Sequence, residues 1–171
     1  EYLPRGITET LSTLDFIDSG LNVCILGPSD SGKSYLAKAL GIVACNNYKV
    51  EYHHCETLLE TLVALKAQDY SKYQKRLKKI CGAALLILDD FLLHTITDER
   101  EVKVLFEILE KRCEINLSTI ICSQREPASW SSMILNDEVS ANAILKRATK
   151  HYTVVIKPKA TPHNRLIKGS V

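Results

Sequence analysis

Short apolar runs rich in β-branched residues punctuate the chain at 22–26, 48–52, 84–88, 118–122 and 152–156. Each is nearly continuous rather than alternating, the pattern of a strand buried on both faces. Between them apolar residues recur at helical spacing: Leu36, Ala37, Leu40 and Ile42, then Leu58, Leu62 and Leu65, then Val102, Leu105 and Leu109. Such spacing lays one side of a helix on a sheet. Asp98, three residues before Glu101, has the spacing of a capping box and predicts where the last of these helices starts. Strands separated by helices predict right-handed crossovers and a mostly parallel sheet covered on both faces, a three-layer α/β fold.

Composition narrows the class. The 171 residues are 46% hydrophobic and 25% charged, which fits one globular domain and excludes disordered and fibrous chains. No apolar run reaches the roughly 18 residues of a membrane span. A net charge of +2 is too small to predict a nucleic-acid partner, so any such case has to be local. Six scattered cysteines form no C-x-x-C pair, and several lie inside apolar runs as small hydrophobes, which predicts a reduced, cytoplasmic protein. With no signal peptide at its start, the Asn116-Leu117-Ser118 sequon is expected to carry no sugar. A chain that opens on Glu1 is expected to be a fragment or a processed form.

The most specific chemistry lies at Gly27-Pro28-Ser29-Asp30-Ser31-Gly32-Lys33-Ser34, which satisfies G-x-x-x-x-G-K-[ST] between a strand and a helix. Glycines let the backbone curl so that successive N–H groups meet phosphate oxygens, and the helix adds its positive N-terminal end. Lys33 then supplies a point charge for the β and γ phosphates of ATP, and the Ser34 hydroxyl is placed to ligate Mg²⁺. A site that hydrolyses a triphosphate also needs carboxylates. Asp89 and Asp90 follow the apolar run at the carboxyl edge of the sheet, where the loop also opens. Asp89 is the candidate Mg²⁺ carboxylate, partly through water, and Asp90 the candidate that polarises the attacking water. Alone, two acids after a strand make an ordinary turn or cap; the loop upstream favours catalysis. Asp90 is one methylene shorter than Glu, which predicts slow hydrolysis. Gln124, at the end of the neighbouring apolar run, can hydrogen-bond the γ phosphate or the water, with Ser123 able to help or substitute.

These motifs, together with the run from Ser118 to Gln124, Trp130 and the stretch Ala141-Asn142-Ala143-Ile144-Leu145-Lys146-Arg147, resemble the IstB/DnaC group of AAA+ ATPases over most of the chain. The likeness is greatest to IstB-like ATP-binding proteins of insertion sequences, and DnaC-like helicase loaders share the core. The resemblance implies an ASCE-type P-loop fold of strand order 5-1-4-3-2, a core over 1–157 with a tail over 158–171, and ATP at the borders of an oligomer. It gives Gln124 the role called sensor 1 and places Arg147 at the arginine finger, acting in trans. Arg112 falls where relatives carry Arg, as a second border contact or a surface ion pair. It also implies a partner-binding segment N-terminal to this chain. Where relatives carry a further Arg, the chain runs Lys168-Gly169-Ser170-Val171, so sensor 2 is absent, comes from Arg165, or lies beyond residue 171.

Between Lys66 and Lys79 six basic residues meet one acid. On a helix Lys72, Lys75, Arg76 and Lys79 share one face, with Tyr73, Leu77 and Ile80 opposite. A charged helical face is usually just solvated, but this one can track DNA phosphates without reading bases, and with the family likeness DNA contact is the expectation. His53-His54-Cys55 is rejected as a metal site, because adjacent histidines after a strand cannot both turn inward. The expectation is an ATPase that assembles on DNA and helps a transposase, with a replicative helicase loader as the alternative. A small-molecule kinase would need an acceptor pocket and a mobile basic lid, and the sequence carries neither signature; a nucleotide switch without turnover remains open.

Overall fold

The structure is a computed structural model and describes residues 5–134, 141, 142, 145, 146 and 151–156. Among the described residues five strands, β1 (Asn22–Leu26), β2 (Val50–His54), β3 (Leu85–Asp89), β4 (Ser118–Ser123) and β5 (His151–Val155), form one sheet in the order β2-β3-β4-β1-β5. Every pairing is parallel. This is the expected 5-1-4-3-2 order read from the opposite edge. Helices among the described residues include α1 (Arg5–Ser12), α2 (Asp15–Asp18), α3 (Lys33–Ala44), α4 (Cys55–Gln68), α5 (Tyr70–Cys81), α6 (Glu99–Glu114) and α7 (Pro127–Trp130). Among the described residues no helix is long and apolar enough to cross a membrane.

Side chains alternate across a strand, and here both sets are apolar. Val23, Ile25, Leu85, Ile87, Ile120 and Cys122 join α1, α2 and α3 in one core, while Cys24, Leu26, Leu86, Leu88 and Ile121 join α4, α5 and α6 in the other. The parity also decides where the site's acids point. Asp89 continues the Leu85, Ile87 set and faces α3. Gly41 lets that helix lie close, since a Cβ there would sit 2.8 Å from Ile87 Cδ1.

Three expectations about the elements themselves need correction. The second strand begins at Val50 rather than 48 and runs to His54, because it is an edge strand of half-buried residues whose polar positions blur the pattern. Ile42, placed on the apolar stripe of α3, is 72% exposed; Leu36, Ala37 and Leu40 carry the packing. Asp98 does cap α6, but its carboxylate accepts from the Arg100 amide at 2.8 Å rather than closing a reciprocal box with Glu101.

Arg112 is neither a border contact nor a surface ion pair. It is 1% exposed, and its guanidinium donates to the carbonyls of Ile80, Cys81, Ala83 and Ser118 and to Thr119 Oγ1. The first three lie on the approach to β3 and the fourth at the start of β4, so one side chain satisfies the backbone where two central strands enter the sheet. Burial pushes its pKa down to about 10, which leaves it charged at neutral pH. Arg112→Ala is expected to cost roughly 3 kcal/mol in a urea melt, since buried carbonyls lose their donors. Arg112→Lys, without the fork, should recover only part of that loss.

Candidate functional site

The site forms where β1 and β3 end. After Leu26 the loop from Gly27 to Ser34 turns into α3, with Asp30 at φ +57° and Gly32 at φ +90°, left-handed conformations that Gly adopts freely and Asp tolerates. Gly27 is required by space: a Cβ there would lie 2.7 Å from both Ile156 O and Ser31 Oγ. Pro28, Ser29 and Asp30 are exposed at the mouth, whereas Ser31 and Lys33 are buried. Lys33 Nζ donates to Pro28 O at 2.6 Å, folding the ammonium back over the loop. The Ser31 hydroxyl is buried with no hydrogen-bond partner among the described residues. An orphaned buried hydroxyl beside a glycine cradle, at the N-terminus of a helix whose first amides lack internal acceptors, fits a phosphate group.

Ser34, in the first turn of α3, donates its hydroxyl to Asp89 Oδ1 at 3.0 Å. The Asp90 amide also donates to Oδ1, at 3.0 Å, and the Tyr52 hydroxyl donates to Oδ2 at 2.5 Å. Burial works against the charged carboxyl, but the donors from Tyr52, Ser34 and Asp90 outweigh it and hold Asp89 below the usual carboxylate range. A hydroxyl and an ionised carboxylate side by side make the oxygen-only donor set suited to Mg²⁺, so Ser34 and Asp89 fit that ion. Asp90 sits at φ +52°, where the chain breaks away from β3. Its Oδ2 lies 3.2 Å from His54 Nδ1, so it faces the end of β2.

Gln124 is exposed just beyond β4 and lines a cavity of about 490 Å³ with Gly27, Pro28, Arg125, Val155 and Ile156. The structure thus puts it at the β5 side of the loop. Ser123 cannot substitute for it: its buried hydroxyl donates to Phe91 O at 2.8 Å and accepts the Arg125 amide at 3.1 Å, which ties the end of β4 to the exit of β3. Arg147, Arg165 and the tail lie outside the described residues. Lys72, Lys75, Arg76 and Lys79 all fall on α5, and Tyr73, Leu77 and Ile80 are buried opposite them as the spacing predicts. The stripe is less free than it reads. Glu51 on β2 pairs with Arg76 at 3.4 Å and Lys79 at 3.0 Å, and Lys72 pairs with Asp69 at 3.3 Å.

Sequence reasoning missed Tyr52 and His54 as partners of the acids. The signal was parity: with β2 ending at His54, both residues share the face of Val50, toward α3. His53 turns the other way, to Glu51 at 2.8 Å, so the adjacent histidines leave the strand in different directions.

The sequence profile of the family described as IstB-like ATP binding protein matches residues 2–162. The chain belongs to that family. A Pseudomonas aeruginosa protein named for insertion sequence IS21 and for ATP binding is 32% identical over 154 residues, covering 90% of this chain and 56% of that protein. A Sinorhizobium fredii insertion-sequence ATP-binding protein is 40% identical over 144 residues, covering 84% of this chain and 56% of its own length. This IstB-like chain therefore spans a little over half the length of these curated relatives. Its fold matches DnaI at a TM-score of 0.74 and 20% identity, over 92% of this chain and 86% of that one. The AMPPCP-bound DnaA of Aquifex aeolicus matches at 0.72 and 19%, over 91% and 47%, and the DnaC helicase loader at 0.66 and 21%, over 91% and 94%.

Gly27→Ala should shift the loop, because neither the Ile156 carbonyl nor the Ser31 hydroxyl can retreat without opening the cradle. ATP affinity measured by titration calorimetry is expected to fall more than tenfold, about 1.4 kcal/mol, with the fold retained by circular dichroism. Wild-type affinity in this variant would contradict the phosphate assignment of the loop.

Proposed function

We infer that this IstB-like chain is the ATPase core of a transposition helper, which binds ATP with Mg²⁺, hydrolyses it and assembles on DNA to serve a transposase. The observation that carries the reading is the 3.0 Å contact of Ser34 with Asp89, which brings the phosphate loop and the paired acids to one point. In this reading Lys33 exchanges the Pro28 carbonyl for β and γ phosphate oxygens, and the Ser31 hydroxyl gains its missing partner. Ser34 and Asp89 hold Mg²⁺, which when bound supplies charge neutralisation for those oxygens. Asp90 leaves His54 to orient the attacking water and accept its proton, and Gln124 reads the nucleotide state. Arg147 acts from a neighbouring subunit, stabilising charge on the γ phosphate and coupling turnover to assembly.

The names of the curated relatives, which tie them to insertion sequences, favour the transposase as partner over a helicase. A loader of a replicative helicase is the second reading, and the fold likeness to the DnaC helicase loader supports it. Steady-state phosphate release with and without duplex DNA tests the ATPase. Turnover without an added acceptor, stimulated by DNA, is expected; no release in either condition would contradict it. Arg147→Ala should bind ATP nearly normally and lose turnover, and mixing it with Asp90→Ala subunits should restore activity if sites are shared across borders.

DNA contact is assigned to α5. Because Glu51 holds Arg76 and Lys79, Glu51→Gln is expected to strengthen duplex binding and to steepen its salt dependence by one to two units of slope, about 0.9 per added phosphate contact. Lys75→Ala, removing an exposed lysine of the same face, should flatten it by about one unit. Fluorescence anisotropy across a salt series reads both. Unchanged slopes in both variants would place the DNA elsewhere.

A further inference from the structure

The edge strand supplies a residue that nothing in the phosphate-loop motif calls for. Tyr52 belongs to the same face of the sheet as Asp89, and its hydroxyl reaches Oδ2 at 2.5 Å. Asp89 is 0% exposed, and its other oxygen already accepts from Ser34 and from the Asp90 amide. A carboxylate rotates easily about its last bond, so donors on both oxygens are what select one orientation. Here they select the one that aims Oδ1 at Ser34.

Tyr52 is itself held on several sides. Lys38 Nζ stands 5.0 Å from the ring centroid, and the His54 ring meets it edge-on at 5.6 Å and 83°. The backbone of Tyr52 is paired in register with Ile87 of β3, and the ring packs against the core under α3. These contacts on several sides fix where the ring places its hydroxyl beside Asp89. The carboxylate can only accept, so in this contact the Tyr52 hydroxyl is the donor.

We propose that Tyr52 is a positioning residue for divalent-cation binding, fixing Asp89 through Oδ2 so that Oδ1 and the Ser34 hydroxyl present a preformed pair of oxygen ligands. This rests on the reading of Ser34 and Asp89 as the cation's residues. Tyr52 touches neither the cation nor the phosphates in this arrangement; it acts through Asp89. Its loss should therefore weaken the cation selectively and leave the loop's grip on phosphate nearly unchanged.

The test uses Mn²⁺ as a paramagnetic probe, titrated in the presence of ADP and followed by electron paramagnetic resonance, with ADP affinity measured separately in EDTA. Tyr52→Phe keeps the ring, and with it the contacts to Lys38 and His54, and removes only the hydroxyl. It is expected to weaken Mn²⁺ about tenfold, the equivalent of about 1.4 kcal/mol, while ADP affinity in EDTA changes less than about twofold. Wild-type Mn²⁺ affinity in Tyr52→Phe would overturn the proposal. So would an equal fall with and without metal, which would make the hydroxyl merely structural. Tyr52→Leu removes the ring as well; a loss seen only in that variant would assign the effect to packing and also overturn the proposal. Asp89→Asn separates the two levels. If it weakens Mn²⁺ while Tyr52→Phe does not, only the role of Tyr52 fails; if Asp89→Asn binds Mn²⁺ as the wild type does, the cation reading beneath it fails.

Discussion

Ser34 and Asp89 are 55 residues apart in sequence and share a 3.0 Å hydrogen bond, and most of the chemistry argued for this chain depends on that contact. Two constraints of the fold produce it. The period of two along β3 sends Asp89 to the face of Leu85 and Ile87, which α3 covers. The bare Cα of Gly41 then lets α3 settle against Ile87, so the first turn of the helix, with Lys33 and Ser34, lies over the end of the strand. A one-residue slip of β3 in the sheet would turn Asp89 away and leave a phosphate loop with no carboxylate beside it.

The elements that could be read from the chain are those where pattern and chemistry agree. The central strands are apolar on both faces, and the loop motif has only one placement between a strand and a helix. The buried side of α5, Tyr73, Leu77 and Ile80, followed from helical spacing alone. What escaped was set by partners far away in sequence. Arg112 reads as a helix-end charge in Glu110-Lys111-Arg112, and only the convergence of carbonyls from Ile80, Cys81, Ala83 and Ser118 makes it an interior residue. Glu51, Tyr52 and His54 sit on an edge strand whose polar residues hid its limits, so the parity that sorts them toward α5 or toward the acids at the end of β3 could not be counted until the strand's end at His54 was fixed. Ser123 looked free because a strand-end hydroxyl does; the turn at Phe91 and Arg125 uses it.

The strand β2 links the two surfaces assigned to function. Residues of one parity, Glu51 and His53, face the basic helix α5, where Glu51 holds Arg76 and Lys79. Residues of the other parity, Tyr52 and His54, reach the paired acids. Burial works against the Glu51 charge, but Lys79, His53 and Arg76 outweigh it and keep its carboxyl below the usual range, so it is ionised at neutral pH and draws two of the α5 cations toward the sheet. The same five residues thus join the candidate DNA face and the candidate metal carboxylate by covalent backbone, with β3 hydrogen-bonded along their length.

The loop and the acids form one shared site through the contact of Ser34 with Asp89. A crystal structure of this chain with Mg²⁺ and a nonhydrolysable ATP analogue tests it most directly. The β and γ phosphates are expected within the Gly27 to Ser34 loop, with Lys33 turned from Pro28 onto them and the ion between the Ser34 hydroxyl and Asp89. An analogue bound away from that loop, or an ion with no contact to Ser34 or Asp89 directly or through water, would contradict it.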